Sequence, residues 1–272
     1  MKNLLKVSTS LLLVIFLVSC GRREEIRNAY KNSAEDNAKA EQESSVMTDM
    51  INSVAREGGQ KTDSLGSNLP SCATATLDTT VTPRKLIINF GTSNCLCSNW
   101  DGKYRRGKIV ATWSGKYRDA GTVITHSTED YYVNDNKVIW NHSVTNNGPN
   151  GSGNTTFTVK AENCSIATSS GTVSWNSTRT REWISGYNTF NPFDDIYLIT
   201  GKADGKNRDG EDFTIEIKNA LRKEMSCRHI VSGSLTMTAM GKDDRELDYG
   251  SGACDDKATL KIRNKTYDIT LR

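Results

Sequence analysis

The chain has 272 residues, enough for one or two domains, and only 36% of them are hydrophobic, with a mean hydropathy of −0.56. Only one stretch is apolar enough to enter a bilayer, which excludes a polytopic membrane protein. Lys and Arg total 35 and Asp and Glu total 32, and two of the lysines lie in the first six residues, so the remainder is close to neutral. This balance gives no basis for nucleic-acid binding.

The N-terminus has the three parts of a secretory signal. Lys2 and Lys6 form a basic region, Leu11–Val18 is a short apolar run, and a small residue precedes Cys20. The segment LVSC at Leu17–Cys20 resembles a bacterial lipobox. This resemblance implies cleavage after residue 19 and acylation of Cys20 by palmitate-type chains, which would hold the protein on the outer membrane. The alternative is an ordinary secretory signal with a chance cysteine.

A charged cluster follows directly, formed by Arg22, Arg23, Glu24 and Glu25. It resembles the short signal that sends Bacteroidota lipoproteins to the cell surface. We therefore expect the protein to face the cell exterior. The alternative is a solvated helix start, where glutamates are favourable in the first turn, on a lipoprotein that faces the periplasm.

Residues 20–70 are predicted to form a lipid-anchored helical tether and linker. Positions 24–57 contain no Pro and no Gly, and positions 58–70 have the composition of a flexible linker. Within the first part, apolar residues recur at helical spacing, at Val46, Met47, Met50, Ile51 and Val54. We expect this stripe to pack on the following domain or on a neighbouring protein rather than to bind a cofactor.

Residues 71–272 are predicted to form an all-β domain, a long antiparallel meander or sandwich-like body. Short runs rich in Thr, Val, Ile and Tyr alternate with Gly and Asn/Asp turns, and no helix is predicted after residue 60. The candidate strands are 72–81, 84–90, 104–116, 121–133, 137–145, 155–162, 171–184, 196–203, 211–218, 227–239, 245–250, 256–263 and 266–272.

Two hairpin turns give explicit register predictions. A turn at Asn264–Lys265 sets Ile262 opposite Tyr267 and leaves one face apolar. A turn at 135–136 sets Glu129 opposite His142, which we interpret as a cross-strand polar pair rather than a catalytic dyad.

Five runs of this region resemble one family. They are YRRGKI, SGKYRDAGTVIT, YYVN, WNSTRTREW and CRHIVSG, which begin at Tyr104, Ser114, Tyr131, Trp175 and Cys227. Together they resemble a family of uncharacterised Bacteroidota lipoproteins, over nearly the whole mature chain. The resemblance implies a lipid-anchored, β-rich protein of no known activity, and it provides no catalytic residues.

An even number of cysteines remains after Cys20, which favours disulfides in an exported protein. They are Cys72, Cys95, Cys97, Cys164, Cys227 and Cys254. Strand register predicts that Cys227 pairs with Cys254 and Cys72 with Cys95, which leaves Cys97–Cys164 as the third bond. A bulge would instead pair Cys72 with Cys97. A metal site is disfavoured because the Cys-x-Cys spacing has no nearby His.

No catalytic motif is present. None of the three histidines, His126, His142 and His229, lies in a hydrolase-type motif. We therefore predict a non-catalytic binding, adhesion or structural domain with no cofactor and no metal, whose partner beyond the membrane is a glycan or a protein. A carbohydrate-active enzyme is the remaining alternative, because adjacent acidic residues could supply paired carboxylates, at 129–130, 194–195, 243–244 and 255–256. The tryptophans could form a sugar-stacking platform, although burial in the core is their usual role in strands. Ser64 and Thr79 resemble O-glycosylation acceptors of exported Bacteroidota proteins.

Overall fold

The computed structural model describes residues 39–40, 43–44, 46–48, 50–51, 54, 69–98, 101–189, 191–239 and 241–271. The predicted acylation site Cys20, the charged cluster Arg22–Glu25 and the candidate glycosylation site Ser64 lie outside these residues. Thr79, the other candidate acceptor, is exposed after the first strand.

The predicted all-β antiparallel fold is confirmed. The strands are β1 Thr74–Asp78, β2 Arg84–Asn89, β3 Cys95–Leu96, β4 Tyr104–Trp113, β5 Val123–Val133, β6 Asn136–Ile139, β7 Asn141–Pro149, β8 Thr155–Thr168, β9 Gly171–Ser185, β10 Ile196–Lys206, β11 Asp212–Glu224, β12 Ile230–Ala239, β13 Arg245–Ser251, β14 Lys257–Ile262 and β15 Lys265–Thr270. A short 3₁₀ helix, Pro192–Asp194, interrupts the β9–β10 connection.

These strands form one 15-stranded sheet in meander order. Nearly every strand pairs with the next one along the chain, as expected when short turns join antiparallel neighbours. There are two exceptions. Both β2 and β3 pair with β4, and β6 and β7 lie end to end between β5 and β8, with which both of them pair. The division falls at Trp140, whose backbone N–H donates to the side-chain hydroxyl of Thr128 in β5.

The N-terminal helical residues share the main core of the sheet. Met47, Met50, Ile51 and Val54 are buried and belong to the same hydrophobic cluster as side chains from β2 to β14. The predicted helical stripe therefore packs on the β domain. Because side chains alternate along each strand, one face of the sheet is largely apolar and the other carries Thr, Ser, Lys and Glu.

A buried charge network joins this helix to β4. The Arg105 side chain is fully buried, donates two hydrogen bonds of 2.7 Å to the Asp101 carboxylate and donates a third to the Tyr131 hydroxyl. Glu43 of the helix lies 3.8 Å from Arg105 and forms an ion pair with Lys103. Burial opposes ionisation of Asp101, but the hydrogen bonds and charge of Arg105 lower its pKa overall.

Two predicted registers are wrong, for the same reason. The β14–β15 turn lies at Arg263–Asn264, one residue earlier than predicted, so Leu260 rather than Ile262 faces Tyr267. This shifts the pairing by two positions and leaves the buried and exposed faces unchanged. Arg263 has a positive φ, which neither its sequence position nor its residue type indicates.

The second wrong register changes a candidate site. The β5–β6 turn lies at Asn134–Asp135, both with positive φ, and Trp140 separates β6 from β7. His142 is consequently opposite His126 and not opposite the predicted partner Glu129. Glu129 instead lies opposite Lys108 of β4.

Two of the three predicted disulfides are confirmed and the third is wrong. Cys72 is bonded to Cys95 with Cα atoms 5.9 Å apart, and Cys227 is bonded to Cys254 with Cα atoms 5.7 Å apart. Cys97 and Cys164 are buried free thiols. Cys164 is held in place by hydrogen bonds with the backbone of Asn141, at 3.4 Å.

Candidate functional site

A second hydrophobic cluster, separate from the main core, lies where five strands begin or end; we call it the aromatic cluster. Antiparallel strands alternate in direction, so the starts of β5, β8 and β10 lie beside the ends of β7 and β9, at one end of the sheet. The buried members are Ile124, Val144, Phe157, Trp183 and Tyr197, and the half-buried ones are Trp113, Tyr117, Val159, Tyr187 and Met225.

Trp183 is the centre of this cluster. Its ring centroid lies 4.9 Å from that of Tyr187 and 5.4 Å from that of Tyr197, and Tyr117 and Phe157 lie 6.2 and 6.4 Å away. Tilted and edge-on contacts at these distances are favourable for aromatic rings. The indole Nε1 of Trp183 is buried and has no hydrogen-bond acceptor among the described residues.

Two half-buried arginines make cation–π contacts with these rings. The Arg118 guanidinium lies 5.1 Å from the centroids of both Trp183 and Tyr187. The Arg181 guanidinium lies 4.7 Å from the Tyr197 centroid and 5.1 Å from that of Phe157, and it donates a hydrogen bond to the Tyr117 hydroxyl. Such cation–π contacts keep arginines oriented at the apolar surface while they remain charged.

Two loops close over this end of the sheet and are tied together by Arg118. Its guanidinium, in the β4–β5 loop, donates hydrogen bonds to the carbonyl oxygens of Tyr187 and Thr189 in the β9–β10 loop. The buried Asn146 side chain fixes the first loop by donating to the Tyr117 carbonyl at 2.9 Å. In the second loop, Gly186 has a φ of +88° and any Cβ would lie 2.4 Å from an Asp195 carboxylate oxygen.

His126 and His142 form a buried pair next to the aromatic cluster. Their Nδ1 atoms are 3.4 Å apart and the rings are stacked with centroids 5.5 Å apart. Burial lowers the pKa of His126 to about 3, with further contributions from His142 and Arg181, and burial together with Arg181 and Arg179 lowers the pKa of His142 to about 4. Both imidazoles are therefore neutral at neutral pH.

The charges near this pair are mostly positive. The groups that act on the pKa values of His126, His142 and Tyr197 include Arg179, Arg181 and Asp195. Asp195 is buried, and its carboxylate accepts a hydrogen bond of 3.4 Å from the Tyr197 hydroxyl. Burial raises the pKa of Tyr197, so its hydroxyl remains a proton donor.

Among the described residues, Arg118 and Arg181 bring positive charge and hydrogen-bond donors to the aromatic cluster. Guanidiniums and tyrosine hydroxyls can donate to an anionic oxygen, and the half-buried rings of Trp113, Tyr117 and Tyr187 offer apolar surface. The histidines are an unfavourable acid–base pair because their low pKa values keep them unprotonated. The site therefore suits the binding of an anion attached to a ring better than proton transfer.

The structure also locates the sequence-predicted candidates for metal binding, carboxylate catalysis and sugar stacking. Among the described residues, the His, Cys, Asp and Glu side chains that could jointly hold a metal ion are Cys72, Cys95 and Cys97, and the first two sulfurs are bonded to each other. Of the acidic pairs, 194–195 borders the aromatic cluster, where Asp195 is buried. Trp140, Trp175 and Trp183 are buried, as is usual for tryptophan in strands, whereas Trp113, Tyr117 and Tyr187 are half-buried members of the aromatic cluster.

Sequence reasoning missed this site although a signal was present. In the run WNSTRTREW, Arg179 and Arg181 lie at even spacing from Trp175 and Trp183, so all four side chains are on one face of β9. Two arginines on the buried face of a strand are unusual, and this pattern alone marks the strand as a candidate site.

No helix among the described residues is long and apolar enough to cross a membrane. No family model, no curated protein and no solved structure matches this chain.

Proposed function

We propose that this protein is a lipid-anchored lipoprotein of the outer membrane, facing the cell exterior, with a non-catalytic β domain that binds an acidic glycan at the aromatic cluster. The proposed membrane attachment rests on the lipobox-like segment ending at Cys20, and the orientation on the charged cluster Arg22–Glu25. The resemblance to Bacteroidota lipoproteins is in keeping with both.

One observation carries the binding proposal. Arg118 and Arg181 are held against aromatic rings at the edge where the β4–β5 and β9–β10 loops meet, beside the buried indole N–H of Trp183. Sugars bind proteins by stacking on aromatic rings, and a carboxylate or sulfate group on the sugar would accept charge-assisted hydrogen bonds from the guanidiniums. A neutral sugar would use the rings alone.

A periplasm-facing lipoprotein that takes part in envelope assembly is the second candidate, since the same anchor serves both orientations. Treating intact cells with protease separates the two orientations, because only a surface-exposed domain is cleaved without breaking the envelope. A carbohydrate-active enzyme is less well supported. Its mechanism requires two carboxyl groups flanking the substrate, roughly 5–10 Å apart, whereas the acidic pair at the aromatic cluster, 194–195, includes Asp195, which is buried.

Replacing Cys20 by alanine is expected to release the protein from the membrane fraction. The thiol is the acyl acceptor in the proposed lipidation, and without acyl chains no strong membrane attachment remains. Metabolic labelling with a radioactive fatty acid, followed by fractionation, measures this directly. Cys164→Ala is the matched control and should remain labelled. Persistent labelling of Cys20→Ala would contradict the anchor.

Replacing Arg181 by glutamine is expected to weaken binding to acidic glycans at least tenfold. The substitution removes a charged donor, and a hydrogen bond to a charged group contributes about 1.5–3 kcal/mol. The mature chain with Cys20→Ser is first screened on a glycan array that includes uronic-acid, sialylated and sulfated sugars beside their neutral analogues. Affinities of the positive glycans are then measured by calorimetry.

The matched control is Arg106→Gln, because Arg106 also lies against an aromatic ring, Tyr132, but at a different part of the sheet. It should leave glycan affinity unchanged. Equal binding of acidic and neutral sugars, or no binding to any glycan on the array, would refute the proposed ligand class. Circular dichroism confirms that each variant retains its sheet.

A further inference from the structure

The β3 region brings three sulfur atoms together. Cys95 and Cys97 are two residues apart, so their side chains point to the same side, while Leu96 between them is exposed. The Sγ atoms of Cys72, Cys95 and Cys97 all lie within 4.8 Å of one another. Cys72 is bonded to Cys95, and Cys97 is a fully buried free thiol.

We propose that Cys72, Cys95 and Cys97 form a thiol–disulfide exchange site, in which Cys72 can be bonded to either Cys95 or Cys97. The proposal is independent of the ligand proposed for the aromatic cluster. A direct bond between Cys95 and Cys97 is geometrically less favourable, because residues two apart in a strand are about 6.6 Å apart, near the upper limit for a disulfide. Cys72 is therefore the sulfur that changes partner.

The exchange is balanced and needs no external oxidant. The Cys97 thiol loses its proton to water or a buffer base, and its thiolate attacks the Cys72 sulfur. The Cys97–Cys72 bond forms while the Cys72–Cys95 bond breaks, and the electron pair leaves on the Cys95 sulfur, which then takes up a proton. The number of disulfides and thiols is unchanged.

The surroundings of Cys97 set the rate of this step. Burial raises the pKa of the Cys97 thiol, although Arg105 acts against this by hydrogen bonding and charge, and Asp101 acts with it. Tyr131 also interacts with this thiol. Because exchange requires the thiolate, it is slow at neutral pH and accelerates as pH rises, up to about tenfold per pH unit below the thiol pKa.

The exchange would be coupled to the docking of the N-terminal helix. The Cys97 backbone N–H donates to the Lys103 carbonyl, and the Cys97 carbonyl accepts from Gly102. Side chains of the same turn, Lys103 and Asp101, hold Glu43 and Arg105 in the buried network. A bond at Cys97 therefore acts on the turn that attaches the helix to the sheet.

Alkylation of the native protein tests the exchange. A single tryptic peptide, residues 86–103, contains both Cys95 and Cys97, and fragmentation at Leu96 shows which one carries the label. After incubation with N-ethylmaleimide at pH 8, we expect one label on this peptide, distributed between both cysteines. Cys164 is the matched control, since it is also a buried thiol with a raised pKa, and it should be labelled more slowly than Cys95. A label confined to Cys97, no label, or a Cys95 label no faster than that of Cys164 would overturn the proposal.

A second measurement uses single variants oxidised with a glutathione buffer. In Cys95→Ser, we expect Cys72 to form a disulfide with Cys97 and so to be protected from alkylation. In Cys97→Ser, we expect Cys72 to stay bonded to Cys95. In the double variant, Cys72 should be alkylated or joined to glutathione, and peptide mass spectrometry distinguishes both products from a bond to Cys97. Complete alkylation of Cys72 in Cys95→Ser, measured after denaturation without reductant, would also overturn the proposal.

Discussion

Replacing Arg105 by alanine is expected to lower the free energy of unfolding by about 3–5 kcal/mol. The arginine is fully buried and lies between the carboxylates of Asp101 and Glu43, so its removal leaves these buried groups with only the half-buried Lys103 as a counter-charge. It also removes the hydrogen bond to the Tyr131 hydroxyl. Urea unfolding followed by circular dichroism measures the change.

The neighbouring residue provides the control. Arg106 points to the other side of β4, where its ion pair with the exposed Asp135 side chain is solvated, and Arg106→Ala should change stability by at most about 1 kcal/mol. An equal loss of stability in Arg105→Ala and Arg106→Ala would contradict the stabilising role of the buried network.

The effect of Arg105→Ala should depend on pH. The folded-state pKa of Asp101 lies below its ordinary value, so its contribution to stability is complete above the ordinary carboxylate range and is lost as pH falls through the lowered pKa. The difference between wild type and Arg105→Ala should therefore shrink in acid. A difference that stays constant down to pH 2 would show that the lost stability is not electrostatic.

Removing the Cys227–Cys254 disulfide by double substitution to alanine is expected to destabilise the fold by roughly 3–4 kcal/mol. The bond closes a loop with a sequence separation of 27 residues and links the connection before β12 to the one after β13. Without it, the unfolded chain gains conformational freedom that the folded chain lacks. Thermal and urea unfolding of the oxidised wild type and the variant give the difference.

Cys164→Ala is the control for this experiment, because it removes a buried sulfur without removing a crosslink. Its loss should remain within about 1–2 kcal/mol, typical of a single modest core truncation. Adding a reductant should abolish most of the gap between wild type and the double variant. A gap that persists under full reduction would mean that packing, and not the crosslink, carries the effect.

The buried charge network around Arg105 and the Cys227–Cys254 disulfide both stabilise a sheet whose apolar surface lies almost entirely on one side. The opposite side presents Thr, Ser, Lys and Glu in pairs such as Thr112 and Thr125, whose hydroxyls are 2.7 Å apart. Such a sheet needs a cover for its apolar face. The helical residues Met47, Met50, Ile51 and Val54 supply part of this cover, and Glu43 attaches them through Lys103 and Arg105.

The sequence by itself determined the class of fold, the approximate position of nearly every strand, the helical stripe and two disulfides. The reason is that these features depend on local pattern. Alternation of apolar and polar residues defines a strand. A short connection between antiparallel strands brings Cys72 near Cys95 and Cys227 near Cys254 even when the exact register is not known.

Only the tertiary structure decided which residues meet across the sheet. Positive φ values at Asn134 and Arg263 moved two turns by one residue, and the break at Trp140 set His142 opposite His126 instead of Glu129. A shift by two positions keeps the same faces buried, so hydrophobic pattern cannot detect it. The aromatic cluster and the three-sulfur site both depend on such contacts between distant strands and loops, and the free energies that select those contacts come from packing and buried charges rather than from local sequence.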